Sequence, residues 1–144
     1  MPAESPALPL RYHAGLDTSV VLRLLIGEPA EQADRALNYL TSHRAKGKIC
    51  SVNDIVVTEA YYALCSYYAV PKREALKLLL EFLTSGEVQP SGRVLQVLEQ
   101  TLVSSSKPGF VDRLIHTHYQ SDQAGLVTFE KAAGRLPGTL VLTG

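Results

Sequence analysis

Residues 48–68 read KICSVNDIVVTEAYYALCSYY, and this stretch decides the fold class. It opens with a short strand at 48–51. Asn53 or Asp54 then caps a helix. The helix runs to about residue 68, with Val56, Ala60, Ala63, Leu64 and Tyr67 at helical spacing. A strand leading directly into a helix is the repeating unit of a parallel α/β fold. The same alternation extends both ways. Upstream come a strand at 10–16, a short apolar helix at 19–26 and a helix at 28–44. The last carries Ala30, Ala33, Leu37 and Leu40 in phase and ends before Gly47. Downstream, Pro71 precedes a helix at 72–85, lined by Ala75, Leu76, Leu79 and Leu83 and closed by Gly86. A strand at 87–89 and a helix at 91–104, with Val94, Leu98 and Leu102 in phase, lead to a loop at 104–109. A helix at 110–120, a strand at 126–129, a helical turn at 131–135 and a strand at 139–142 complete the chain.

This order predicts a three-layer α/β/α sandwich around a central, mostly parallel sheet, with right-handed crossovers placing helices on both faces. The chain has 144 residues, a length that suits one domain. Residues 10–144 are read as that domain. Pro2, Pro6 and Pro9 mark residues 1–9 as an extended tail. A hydrophobic share of 46% and a charged share of 19% exclude a disordered chain, a collagen and a coiled coil. Cys50 and Cys65 form no CxxC pair, which points to a reducing compartment. No apolar run is long enough to span a bilayer, and the N-terminus does not read as a signal peptide. The expected location is the cytoplasm. Lys and Arg total 14 and Asp and Glu total 14. No overall positive charge advertises nucleic acid, so any such binding comes from a local patch or from metal ions.

Ligands of open α/β sheets sit beyond the carboxyl ends of the strands. Four acids fall at such places. Asp17 follows the first strand in GLDTSV. Glu59 lies in the helix of VVTEAYYAL, Asp112 opens a helix in GFVDRLI, and Glu130 ends a strand in LVTFEK. A carboxylate at the end of a buried strand is costly unless compensated, and a divalent cation compensates several at once. Helical arithmetic puts Glu59 on the shoulder of its apolar face, between Ile55 and Ala63, hence half-buried. Each acid also has an ordinary reading. Asp17 caps a helix, Asp112 matches a helix dipole, Glu59 is a flank residue and Glu130 is surface charge. The case rests on all four standing at one end of one sheet.

With these pieces in place, the chain resembles PIN-domain ribonucleases, especially the VapC-type toxins of toxin–antitoxin pairs. The resemblance is carried by Asp17-Thr18-Ser19, Thr58-Glu59-Ala60, Phe110-Val111-Asp112 and Thr128-Phe129-Glu130, in the family's order. It implies an α/β/α fold and an endoribonuclease whose acids bind one or two Mg²⁺ or Mn²⁺ ions to hydrolyse RNA. It assigns Asp17, Glu59 and Asp112 as the main catalytic and metal-binding acids. Glu130 takes a fourth position that is more often Asp. Ser19 and Thr128 match supporting hydroxyls. It also implies a homodimer and an inhibitory antitoxin.

Two further residues are substrate-binding candidates, Arg113 and His116. His116 lies four residues after Asp112, on the same helix face, although a solvent-facing histidine is its ordinary reading. Arg11, Arg23, Arg44, Lys46, Lys48 and Lys131 are further candidates to grip a phosphate backbone. Tyr61, Tyr62, Leu78, Leu80 and Phe82 offer apolar surface beyond one core face, where dimer or antitoxin contacts are expected. The competing function is a catalytically inactive PIN-fold module that binds RNA or a protein. A receiver domain lacks its acidic pair here, and a nucleotide-binding fold lacks its glycine-rich loop.

Overall fold

A computed structural model describes residues 14–104 and 107–143. The chain divides into two compact units, with the boundary between Ser91 and Gly92. The tail at 1–9 and the first part of the strand expected at 10–16 lie outside the described residues.

The first unit is a parallel sheet with its crossover helices. Its elements are β1 (Ala14–Gly15), α1 (Thr18–Ile26), α2 (Ala30–Ala45), β2 (Cys50–Asn53), α3 (Asp54–Ser66), α4 (Lys72–Leu83) and β3 (Val88–Ser91). The strands lie in the order β1-β2-β3, and both pairings are parallel. Ala14 faces Cys50, Cys50 faces Val88, and Val52 faces Pro90. Parallel neighbours need a long crossover, and the helix pairs α1–α2 and α3–α4 supply one each. Pro90 brings no N–H to its ladder, which suits β3 as the outer strand of the three. The central strand is the driest, with Cys50 and Val52 fully buried. Burial pushes the Cys50 thiol pKa up, so it sits as a neutral core residue. Neither cysteine is in a disulfide. Val21, Leu40, Val57, Ala60, Leu64, Ala75 and Leu79 complete this core.

The helix ends follow from local chemistry. Asn53 caps α3, its side chain accepting a hydrogen bond from the Val56 N–H at 2.9 Å. Asp17 caps α1, its Oδ1 accepting from the Thr18 N–H at 2.8 Å. Gly27 ends α1 in the left-handed region at φ 81°, where a side chain would be strained.

The second unit contains α5 (Val94–Val103), α6 (Phe110–Ser121), β4 (Val127–Thr128), a 3-10 turn (Lys131–Arg135) and β5 (Leu140–Val141). Helices α5 and α6 pack together through buried Val94, Val97, Leu98, Phe110 and Leu114. Strands β4 and β5 pair in parallel, with Val127 facing Leu140. At Gly125 a Cβ would stand 2.9 Å from the Gly138 carbonyl oxygen, so this turn requires glycine.

The expected α/β class holds, and every strand pairing among the described residues is parallel. Several local expectations shift. Strand β2 occupies 50–53 rather than 48–51, because Asn53 serves as both the last strand residue and the helix cap. Helix α5 begins at Val94 rather than 91, because β3 takes the chain through Ser91. Tyr67 follows the end of α3 and is 80% exposed, while Tyr61, expected on the surface, is buried. Leu78, Leu80 and Phe82 are half-buried and Tyr62 is exposed.

Candidate functional site

In the first unit, α1 and α3 pack against each other, and Thr18 links two of the four acids. Its backbone N–H donates to Asp17 Oδ1 at 2.8 Å, and its Oγ1 donates to Glu59 Oε1 at 2.9 Å. One threonine at the first turn of α1 thus holds a carboxylate from the end of β1 and one from the middle of α3. Asp17 does the capping job of its ordinary reading, and Glu59 is tied to the same threonine. Glu59 is exposed, not half-buried. The reason lies in how α3 packs. Its buried side is Val56, Val57, Ala60, Tyr61 and Leu64, and Ile55 and Tyr62 flank Glu59 on the open side. Ser19 is exposed beside Asp17. Ser19 and Thr128 are the hydroxyls expected to support the site, yet it is Thr18 whose hydroxyl bonds to an acid. The available signal was a hydroxyl directly after the capping aspartate.

In the second unit, Asp112 sits half-buried in the first turn of α6, and its carboxylate has no hydrogen-bond or ion-pair partner among the described residues. Arg113 is tied down, its Nε donating to the Pro108 carbonyl at 2.8 Å. Glu130 is exposed and precedes the 3-10 turn. Its backbone N–H donates to Thr128 Oγ1 at 3.0 Å, so Thr128 shapes the turn that carries Glu130. His116 does not face solvent. It is buried, with its Nε2 2.7 Å from the Pro137 carbonyl oxygen. A carbonyl only accepts, so Nε2 carries the proton and donates. That bond pins α6 to the 136–138 turn.

Among the described residues no group of three or more His, Cys, Asp or Glu side chains stands close enough together to hold a metal ion. Thr18 bonds to two of the acids, Asp17 and Glu59. Their donor set is oxygen only, carboxylates with nearby hydroxyls. Such donors suit a hard cation such as Mg²⁺ or Mn²⁺ better than zinc, which favours sulfur and imidazole. Each of the two carboxylates uses one oxygen toward Thr18, and the other has no hydrogen-bond partner among the described residues.

Elsewhere in the first unit, Tyr61 is the most perturbed ionisable group. Burial, helped by the neighbouring Cys65 thiol to which it is hydrogen-bonded and by Tyr62, pushes its pKa up to about 12. It stands in the core and takes no part in the acidic site.

Neither the curated proteins nor the solved structures yield a match to this chain. The PIN domain family matches residues 15–138, a span that holds Asp17, Glu59, Asp112 and Glu130 and all the strands and helices but the first residue of β1 and the last strand. With parallel strands, crossover helices and a match over most of its length, the chain belongs to the PIN domain family.

Proposed function

We propose that this chain is a divalent-metal-dependent endoribonuclease and the toxin of a toxin–antitoxin pair. PIN domains are generally nucleases that use divalent ions, which supports the broad reading. The observation that carries it to this site is the single threonine bonded to both Asp17 and Glu59. Asp17, Glu59, Asp112 and Glu130 are the acids that would hold one or two Mg²⁺ or Mn²⁺ ions. When bound, such an ion supplies an activated water and neutralises charge on the phosphate.

The protein's own part is positioning. Thr18 fixes one oxygen of Asp17 and one of Glu59 and leaves the other oxygen of each unbonded to it. Ser19 adds a hydroxyl at the rim. Thr128 holds the turn carrying Glu130. Arg113, anchored through Nε, keeps its terminal nitrogens for a phosphate oxygen. His116 is buried with its Nε2 held by the Pro137 carbonyl, so it has no part in gripping phosphate in this reading. In this reading the protein works in the cytoplasm as a homodimer and is silenced by an antitoxin. Tyr62, Leu78 and Phe82 are the contact candidates. Among the described residues no helix is long and apolar enough to cross a membrane.

The test is cleavage of a labelled RNA pool with Mn²⁺ or Mg²⁺, comparing wild type, Asp112→Asn and added chelator. Metal-dependent cutting that falls to background in the variant supports the proposal. Folded wild type that cuts no RNA, or cuts equally in chelator, overturns it. The second reading, an inactive binding module, is favoured by Glu130, which stands at a position where the family more often has Asp. An inactive module shows no Mn²⁺-dependent rise in melting temperature, whereas the nuclease does.

A further inference from the structure

The first unit carries a cleft of about 570 Å³ that shares Asp17 and Ser19 with the acidic site and extends beyond it along α1 and α2. Its walls are β1, α1 and α2, and its lining includes Asp17, Ser19, Arg23, Gln32, Arg35 and Tyr39. The volume falls within the range of about 300–1,000 Å³ typical of small-molecule sites. Three features give the cleft a chemistry. Arg23 Nε donates to Gln32 Oε1 at 2.6 Å, so a glutamine of α2 fixes the plane of an α1 guanidinium while its terminal nitrogens stay outside that bond. Tyr39 is 48% exposed, and its ring stacks on His43 with centroids 5.0 Å apart and planes at 23°. A ring supported in this way is a preset platform for a second flat partner. Arg35 is bonded to Glu31 in a pair whose side chains are 75% and 79% exposed, and so solvated a pair exchanges readily for another anion.

We infer that this cleft is a nucleotide subsite for single-stranded RNA. Tyr39 stacks a base, and Arg23 with Arg35 grips the adjoining phosphates. A flat aromatic ring beside two guanidinium groups matches the two parts of a nucleotide, its base face and its phosphate. The inference rests on the nuclease reading in one respect: Asp17 stands in the rim, so a nucleotide held here lies beside the proposed cleavage site. The cleft therefore selects the segment of RNA next to the cut. It favours single strands, because a base inside a duplex has both faces stacked on neighbouring pairs and none free for Tyr39.

The experiment uses the full chain in excess chelator, which separates binding from cleavage. A fluorescein-labelled single-stranded RNA hexanucleotide is titrated and followed by anisotropy. Tyr39→Ala weakens binding about tenfold, the scale of one base stack, while Tyr39→Phe stays within about twofold of wild type. Arg23→Gln weakens binding and makes the slope of log affinity against log salt shallower by about 0.7, one phosphate contact on a single strand. Melting temperatures identify any variant that fails to fold, and the Phe variant controls for a merely structural role. Wild-type affinity in both Tyr39→Ala and Arg23→Gln overturns the subsite. So does a hairpin of the same sequence binding as well as the single strand, or a poly-glutamate peptide binding as tightly as the RNA. A parallel Mn²⁺ cleavage assay distinguishes the two failures. Cleavage with Tyr39-independent binding sinks the subsite alone. Tyr39-dependent binding without cleavage sinks the nuclease and leaves an RNA-binding cleft.

Discussion

Thr18 makes two hydrogen bonds that serve different ends. The backbone bond to Asp17 belongs to the helix start, and any residue but proline supplies it. The hydroxyl bond to Glu59 belongs to the proposed site alone. Thr18→Val keeps the shape and the cap and removes only the hydroxyl. In this exposed setting the change costs less than about 1 kcal/mol of stability. Metal-dependent RNA cleavage is expected to fall about tenfold or more, and Thr18→Ser, which keeps the hydroxyl, to retain most of it. Parallel melting and cleavage assays separate the two bonds. A loss in Thr18→Ser with cleavage kept in Thr18→Val would assign the effect to packing of the threonine methyl instead. Tyr61 supports a second residue-scale prediction. A phenol is neutral when protonated, and its pKa of about 12 lies above the ordinary value of 10.0. The folded chain therefore holds this proton to higher pH than the unfolded chain. The resulting stability is complete below about pH 10 and is lost as pH climbs toward 12. The full swing is roughly 2–3 kcal/mol. Tyr61→Phe is expected to flatten that alkaline decline in denaturation curves taken at fixed intervals of pH, and to leave the highest-pH step of tyrosinate absorbance missing.

Among the elements, α3 joins the core to the site. Its N-cap, Asn53, is also the last residue of β2, so the cap fixes where the strand stops and the phase at which the helix leaves. Asn53→Ala is expected to cost about 1 kcal/mol, read as a drop of a few degrees in melting temperature, with Asn53→Asp or Ser recovering most of it. The same element shows what sequence reveals and what it hides. The helices were legible, because apolar spacing and punctuation by Asn53, Pro71 and Gly86 agree. Ala75, Leu76, Leu79 and Leu83 are all buried. The strands were legible as events but not in their limits. A strand of two residues such as β4 has no periodicity of its own, and its extent is set by pairing with β5. Within α3, Ile55 and Val57 look alike in sequence, yet one is 71% exposed and the other fully buried. Which apolar residues face inward depends on the neighbours α1, α4 and β2, and that choice left Glu59 on the open side. His116 was illegible for the same reason. The carbonyl that satisfies it belongs to Pro137, 21 residues away.

At the scale of the whole molecule, charge sets the terms on which the proposed RNA substrate is met. The 14 basic and 14 acidic residues cancel, and the isoelectric point is about 6.9. Near neutral pH the chain has no long-range field to draw a polyanion in, so affinity must come from a few cations in the right places. The salt dependence of binding counts them. Each phosphate neutralised on a single strand contributes about −0.7 to the slope of log affinity against log salt. If Arg23 and Arg35 are the grip, the slope is about −1.4. Raising salt from 50 to 200 mM then weakens binding only about sevenfold. A basic nucleic-acid binder with six to ten phosphate contacts loses on the order of a thousandfold or more over the same range. The measurement is a salt titration of hexanucleotide binding in chelator. A slope steeper than about −4 would require a basic surface several times larger than the cleft rim supplies. It would move the binding site to a different set of lysines and arginines, with Arg44, Lys46 and Lys48 the first to replace. A slope near −1.4 that becomes shallower by about 0.7 in Arg23→Gln and again in Arg35→Gln would count two cations at one site. It would also explain how a chain of zero net charge selects RNA by contact rather than by attraction from a distance.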